Sequence, residues 1–418
     1  MVAALLATGT PPKEISALIN QPVVEEHAGE AAFLWRLRER AIQAPHYSLK
    51  QLALLDARVL AHLAGLCTAG TAGLELAQRG LGELDGGTLF VAAYLAFSSG
   101  ERDRMREAIV IALSSPQLMD SLVAALAWQN LDALQSVLAL LGRSPDPLHR
   151  RICLATYAAH RANPGPLLER AIDDPDPALR ARALRAVGEL GRADLVQGLD
   201  RRLSDPDLHS RFWAAWSLAL SGKSYAAQIA YEIAADDPVL CRTSLEIAMR
   251  AGEPAWARQL IRSLAGRGTK LRQAVLAAGS FGDPTVIPWL LEFASDEQLG
   301  RVAAEALALI TGLDPELAAM KQDAPEELED SHPEDDQLRW PNPDGLRSWW
   351  RAEHTRFTPG QRYLAGLPVS ESAAFQVLRT GYQRQRRAAA LELARSHQGA
   401  ALFPIAARAD LQRQRLSL

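Results

Sequence analysis

Leu148, Leu179, Leu208, Leu240, Leu271 and Leu299 recur about every 30 residues, a period that marks a repeat array. Each opens a short phrase that reaches an arginine within a few residues: Pro147-Leu148-His149-Arg150, Pro177-Ala178-Leu179-Arg180, Pro206-Asp207-Leu208-His209-Ser210-Arg211, Pro238-Val239-Leu240-Cys241-Arg242, Lys270-Leu271-Arg272 and Gln298-Leu299-Gly300-Arg301. In such an array a unit buries its apolar face only against its neighbours. The period therefore constrains the fold strongly and leaves the partner unnamed.

Each phrase reads as a helix start. In Asp174-Pro175-Asp176-Pro177 and Asp205-Pro206 the aspartate can cap, and proline tolerates a first turn that does not need its missing N–H. In the second unit the spacing predicts a first helix from about Pro177 to Gly188. Leu179, Ala183, Ala186, Val187 and Leu190 form its buried stripe, and Arg180, Arg182, Arg185 and Glu189 the opposite face. Gly188 and Gly191 break it, and a second helix follows with Leu195, Val196, Leu199 and Leu203 as its stripe. The third unit repeats the plan with Phe212, Ala215, Trp216 and Ala219, a break at Gly222, then Ile229, Ile233 and Ala234. Gly268-Thr269-Lys270 and Asp296-Glu297-Gln298 lack the Asp-Pro start.

From Ser144 to Leu313 the chain resembles the HEAT-repeat family, in the short form with Asp-Pro before the first helix and arginine soon after it. The resemblance implies an all-α fold: a right-handed α-solenoid of HEAT-like helix pairs, flanked by N-terminal and C-terminal helical modules. It implies no particular function, because such arrays host unrelated partners.

Composition agrees with a packed helical chain. Of 418 residues 48% are hydrophobic, much of this Ala and Leu, which suits closely stacked helices. A net charge of −4 argues against a globally basic nucleic-acid binder. Nearly all positive charge is arginine, which favours bidentate contacts with carboxylates and phosphates. Cys67, Cys153 and Cys241 are odd in number and unclustered, so they form neither a disulfide framework nor a zinc signature. The start Met1-Val2-Ala3-Ala4-Leu5-Leu6-Ala7 lacks a basic flank, and no apolar run is long enough to span a bilayer, which predicts a cytoplasmic protein.

The chain divides by pattern into residues 1–80, an N-terminal helical module; 81–144, degenerate helical repeats; 145–313, the HEAT-like array; 314–339, an acidic Pro-containing linker; and 340–418, a Trp- and Arg-rich helical module. Helices are expected from Glu25 to Ala44, from Ser48 through Leu66, from Arg104 to Leu113 and from Ser121 to Asn130. Asp323 to Asp336 holds eight acids and no Lys or Arg. It reads as a solvated, mobile linker, as an acidic lid over an arginine face, or as a recruitment segment for a basic partner. Asp344 is the expected cap of the helix bearing Trp349 and Trp350, and Pro359-Gly360 signals a type II turn.

The two ends resemble a second family. The phrases are Glu26-His27-Ala28-Gly29-Glu30-Ala31-Ala32-Phe33-Leu34-Trp35, Asp56-Ala57-Arg58-Val59-Leu60, Arg356-Phe357-Thr358-Pro359-Gly360-Gln361-Arg362-Tyr363 and Gly381-Tyr382-Gln383-Arg384-Gln385-Arg386-Arg387. They are similar to a proteobacterial family encoded among type VI secretion genes, beside VgrG- and PAAR-type spike proteins and their effectors. That neighbourhood implies an accessory role in effector loading or spike assembly, with a spike component or effector as protein partner. It implies no chemistry, and the family offers no established functional residues to carry over.

No chemistry-bearing motif emerges from the residues. His27, His46 and His62 lack metal-ligand spacing on one helix and read as structural. Arg79-Gly80-Leu81-Gly82 is no phosphate loop, and Gly279-Ser280-Phe281-Gly282 no nucleophile elbow. The expectation is a non-enzymatic scaffold or adaptor without catalytic, cofactor or metal site. The alternative is a nucleic-acid-binding array of the DNA-glycosylase kind, using arginine-rich surfaces. In stacked helix pairs the second helices are expected to line the concave side, which presents Arg201, Gln228, Tyr231, Glu232, Arg258 and Arg262 as partner-binding candidates. Trp349, Trp350, Arg362, Tyr363, Arg384, Arg386 and Arg387 are the candidates of the C-terminal module.

Overall fold

The computed structural model describes residues 19–325 and 332–418. The apolar start from Met1 to Ala7 and the acids Glu326, Glu327, Glu329 and Asp330 lie outside the described residues. The described chain is helical apart from one two-stranded antiparallel sheet and two isolated bridges. It forms two compact units. One holds the described residues up to Ala41 with Lys50–His160 and Ala407–Asp410; the other holds Ile42–Leu49, Arg161–Ala406 and Leu411–Leu418.

The first unit is built from α1 (Gln21–Ala41), α2 (Leu49–Thr68), α3 (Thr71–Gly80), α4 (Gly86–Ser99), α5 (Arg102–Ala112), α6 (Pro116–Ala127), α7 (Leu131–Arg143) and α8 (Pro147–His160). Helix α4 is apolar nearly all round because it is central: α1, α3, α5 and α6 all pack on it. Trp35 of α1 stacks on Phe90 of α4, and Trp128 meets both edge-on. Arg38 is buried in the same core. Its Nε donates to Asp56 Oδ1 at 2.8 Å and its Nη2 to the Ala407 carbonyl at 3.0 Å. The other Asp56 oxygen accepts the Ala409 N–H at 2.7 Å. One buried ion pair thus ties α1, α2 and the segment Ala407–Asp410 together.

The second unit continues with α9 (Pro166–Ala171), α10 (Pro177–Glu189), α11 (Ala193–Val196), α12 (Leu208–Leu220), α13 (Ser224–Ala234), α14 (Cys241–Ala251), α15 (Pro254–Ala265), α16 (Leu271–Phe281), α17 (Ile287–Glu292) and α18 (Gly300–Thr311). The C-terminal residues add α19 (Pro343–Glu353), the strands β1 (Tyr363–Leu364) and β2 (Leu367–Pro368), α20 (Glu371–Thr380), α21 (Gln383–Ser396) and α22 (Ala409–Arg415). The six restart phrases stand at the starts of α8, α10, α12, α14, α16 and α18. Asp176 caps α10 by accepting the Leu179 N–H at 2.8 Å, and Asp207 caps α12 through Ser210 at 2.7 Å. Where Asp-Pro is missing, Asp296 accepts the Leu299 N–H at 2.8 Å, while α16 starts from a 3-10 turn, Gly268–Lys270, without a side-chain cap.

Within this unit α10, α12, α14, α16 and α18 pack on one another in succession. Small residues allow it: a Cβ on Gly279 would lie 2.7 Å from that of Ala306. At Gly188 the Ser217 hydroxyl accepts the Gly188 N–H and donates to the Leu184 carbonyl, stitching α12 to α10. This is why the array is rich in alanine. The expected second helix over Leu195 to Leu203 is instead broken at Gly198 into α11 and a 3-10 turn, Leu199–Ser204, with Leu199 still fully buried.

Two face assignments change. Arg180 and Glu189 are buried, not solvated, because each meets an opposite charge. Arg180 pairs with Asp205 at 2.8 Å. Burial alone would push the Glu189 carboxyl up, but Arg182, Arg185 and Arg161 outweigh it and hold it at about 2. Glu189 therefore contributes stability above its ordinary value of 4.5 and loses it as pH falls toward about 2. A shift of that size corresponds to about 3 kcal/mol. Urea midpoints measured from pH 7 to pH 2 should fall through this window, and Glu189→Gln should flatten part of the fall.

Candidate partner-binding surface

The repeated arginine has two uses. Arg150 Nη1 donates to the Ser144 and Pro145 carbonyls at 2.9 and 2.7 Å. Arg180 Nη1 does the same to Asp174 and Pro175 at 2.7 and 3.3 Å, and Arg211 Nη1 to Asp205 and Pro206 at 2.8 and 3.1 Å. In these repeats it locks the helix's own entry turn. In α14, α16 and α18 the corresponding Arg242, Arg272 and Arg301 reach residues Glu334 and Asp335 instead.

The C-terminal residues cover the first helices of this unit in three further ways. The β1–β2 hairpin lies on helix ends: Tyr363 N–H donates to Gly282 O, Ala365 to Leu309 O and Gly366 to Ile310 O, all within 2.9 Å. These are carbonyls that a helix end leaves without partners. Gly282 and Gly312, both at positive φ, leave room for the hairpin backbone. Arg362 donates from Nε to Phe281 O at 2.8 Å. Helix α21 lies on α12 and α14, with Glu392 between Arg250, Arg362 and Arg395. Arg387 pairs with Glu246 at 2.8 Å, and Arg384 with Glu305 at 2.6 Å.

The C-terminal candidates therefore lie in internal contacts. Arg386 is fully buried: its guanidinium donates to Leu378 O, Gln383 and Gln412, so it cannot meet a partner of the folded protein. Tyr363 is also buried, with its ring against Phe357. Trp349 and Trp350 are half-buried against the core of α14–α18, the docking arrangement. Asn342, not Asp344, caps α19, because Pro343 fits the first helical position and moves the cap two residues earlier than the sequence reading placed it.

The second-helix candidates divide differently. Arg201, Gln228, Glu232 and Arg262 are exposed. Arg201 pairs with Asp173 at 2.7 Å, and Gln228 bonds Glu232 at 2.7 Å. Tyr231 is half-buried against Trp256, so truncating it disturbs packing as well as surface. Arg258 pairs with Asp283 and donates to Gly360 O. Ile233, expected to be buried, is only half-buried.

Other chemistry is sparse. His27 and His62 meet through Nδ1 atoms 3.0 Å apart, and burial followed by the charge of His27 lowers the His62 pKa. His46 lies in the second unit. Among the described residues no three His, Cys, Asp or Glu converge as metal ligands. Burial pushes the Cys153 thiol up to about 12 and raises Cys67 and Cys241 as well, so none is an activated thiolate. Of the readings of the acidic run, Glu334 and Asp335 fit the acidic lid over an arginine face and not a solvated linker, but the sequence did not say which arginines they meet. The signal present was an acidic run following arginines at one repeat position.

Stacked helix pairs with alternating short turns define this as an all-α solenoid of repeats, a class that commonly serves as a protein-interaction scaffold. Residues 164–250 match the HEAT repeats family. No curated protein matches the chain. Among the described residues no single helix is long and apolar enough to cross a membrane.

Proposed function

We propose that this protein is a non-enzymatic scaffold that holds a protein partner on the exposed second helices of its array, and that the partner is a type VI secretion effector or a VgrG- or PAAR-type spike component. One observation carries the surface: the first helices of the second unit are covered by the chain's own C-terminal residues, while Arg201, Gln228, Glu232 and Arg262 stay exposed on the second-helix side. The likeness of the two ends to proteins encoded among secretion genes supports the partner class.

The test is binding of purified VgrG, PAAR and effector proteins from the same host, measured by calorimetry. Arg201→Glu with Arg262→Glu should weaken binding at least tenfold and leave the melting temperature within about 2 °C. Tyr231 is left unaltered, because its truncation would confound packing with contact. If no spike or effector protein binds, and duplex DNA binds instead with steep salt dependence, the protein is a nucleic-acid binder.

A further inference from the structure

Three arginines at one repeat position, joined by a fourth from α21, converge on the dipeptide Glu334-Asp335. The Glu334 carboxylate lies 3.1 Å from Arg242 Nη1 and 3.8 Å from Arg272 Nη2. Both Asp335 oxygens accept from Arg272, each at 2.7 Å. The backbone is read too: Asp335 O accepts from Arg301 Nη1 at 2.9 Å and Glu334 O from Arg384 Nη2 at 3.1 Å. Trp340 then closes over the Arg301 guanidinium, 4.6 Å from its ring centre. Asp335 is 1% exposed, whereas Glu334 stays at the rim.

We propose that this arginine ladder is a binding site for acidic peptide segments, held closed by the chain's own Glu334-Asp335 as an internal ligand. The earlier repeats show the contrast. There the arginine bonds carbonyls of its own Asp-Pro turn, and Arg180 adds the Asp205 that opens the next repeat. In α14, α16 and α18 it lies at a helix N-terminus, where the helix dipole also favours an anion. Bidentate and carbonyl contacts together read a short segment by charge and by backbone, as a peptide site does. The internal ligand is itself a 3-10 turn, Pro333–Asp335, so all of these contacts fall on two consecutive residues. A tethered ligand competes at an effective concentration on the order of millimolar, so an outside acidic segment gains access only when the internal one is weakened or outcompeted. The inference rests on the scaffold reading only in making the ligand a peptide, and its contacts use residues other than Arg201 and Arg262.

The test uses the full chain and a fluorescein-labelled peptide copying residues 332–337, followed by anisotropy at low salt. Glu334→Gln with Asp335→Asn should bind the peptide at least tenfold more tightly than the unaltered protein. Adding Arg272→Gln should erase that gain, and a peptide with Gln and Asn in place of its first two acids should not bind. Trp340→Ala, which loosens the closure without touching the acids, should give a smaller gain and decides the matter if the double variant loses its cooperative melt. No gain in Trp340→Ala, or a gain insensitive to Arg272, overturns the proposal and makes Glu334-Asp335 a structural clamp. Because Arg201 and Arg262 are not involved, such a failure leaves spike or effector binding at the second helices intact.

Discussion

Glu392→Ala should lower the stability of the second unit by about 3–5 kcal/mol, the usual cost of leaving a buried charge without its partner. The side chains of Glu392 and Arg250 are 2% and 3% exposed and lie 3.4 Å apart. Arg362 approaches the same carboxylate at 2.5 Å and Arg395 at 3.2 Å. Burial disfavours the Glu392 anion, yet the three guanidinia hold its pKa below the ordinary carboxylate range. Removing it leaves Arg250 buried among like charges, and Arg362 loses the anchor that directs it to Phe281 O. Urea denaturation followed by circular dichroism reads the loss. Arg250→Met with Glu392→Leu should recover part of it, since a packed apolar pair avoids the desolvation of both ions. Asp103→Ala, which breaks an ion pair exposed on both sides, should leave the midpoint unchanged. A Glu392→Ala protein within 1 kcal/mol of the unaltered one would mean that apolar packing alone holds α21 in place.

The contrast between those pairs explains what could be read in the chain and what could not. The lead leucines, and the Asp-Pro that precedes four of them, act within one turn, so the helix starts were legible from spacing. The break at Gly198 was not, because apolar spacing over Leu195 to Leu203 is the same for one helix and for two short turns. Partner choice among arginines was least legible. Arg180 and Arg272 occupy the same place in their repeats, yet one bonds carbonyls five and six residues away and the other a carboxylate 63 residues away. Arg38 reaches a carbonyl 369 residues along the chain. Pattern reading puts arginine outside because it is rarely buried without a partner. Only folding brings those partners into reach. The exposure of Arg201, Gln228, Glu232 and Arg262 was legible for the same reason, since exposure opposite an apolar stripe is a local property.

Arg386→Ala should cost about 3–5 kcal/mol and should change stability before it changes binding. Its guanidinium donates to Leu378 O at 2.8 Å, to Gln383 Oε1 at 2.7 Å and to Gln412 Oε1 at 2.5 Å. All three acceptors are neutral, and burial lowers the arginine's pKa to about 10. Truncation leaves these buried acceptors without donors and opens a cavity between α20 and α21, whose packing also carries the Tyr382-to-Asp314 bond at 3.0 Å. Arg386→Lys should restore little, because one ammonium cannot match the planar fork. The measurement pairs a melt with partner binding at a temperature where the variant is still folded. Binding that survives there assigns Arg386 to the frame. Binding lost from a fully folded variant would instead require the partner to rearrange α20 and α21. The same pairing must accompany any variant of Trp349, Arg362 or Tyr363, because each is packed inside the second unit and its loss of binding by itself would report unfolding rather than contact.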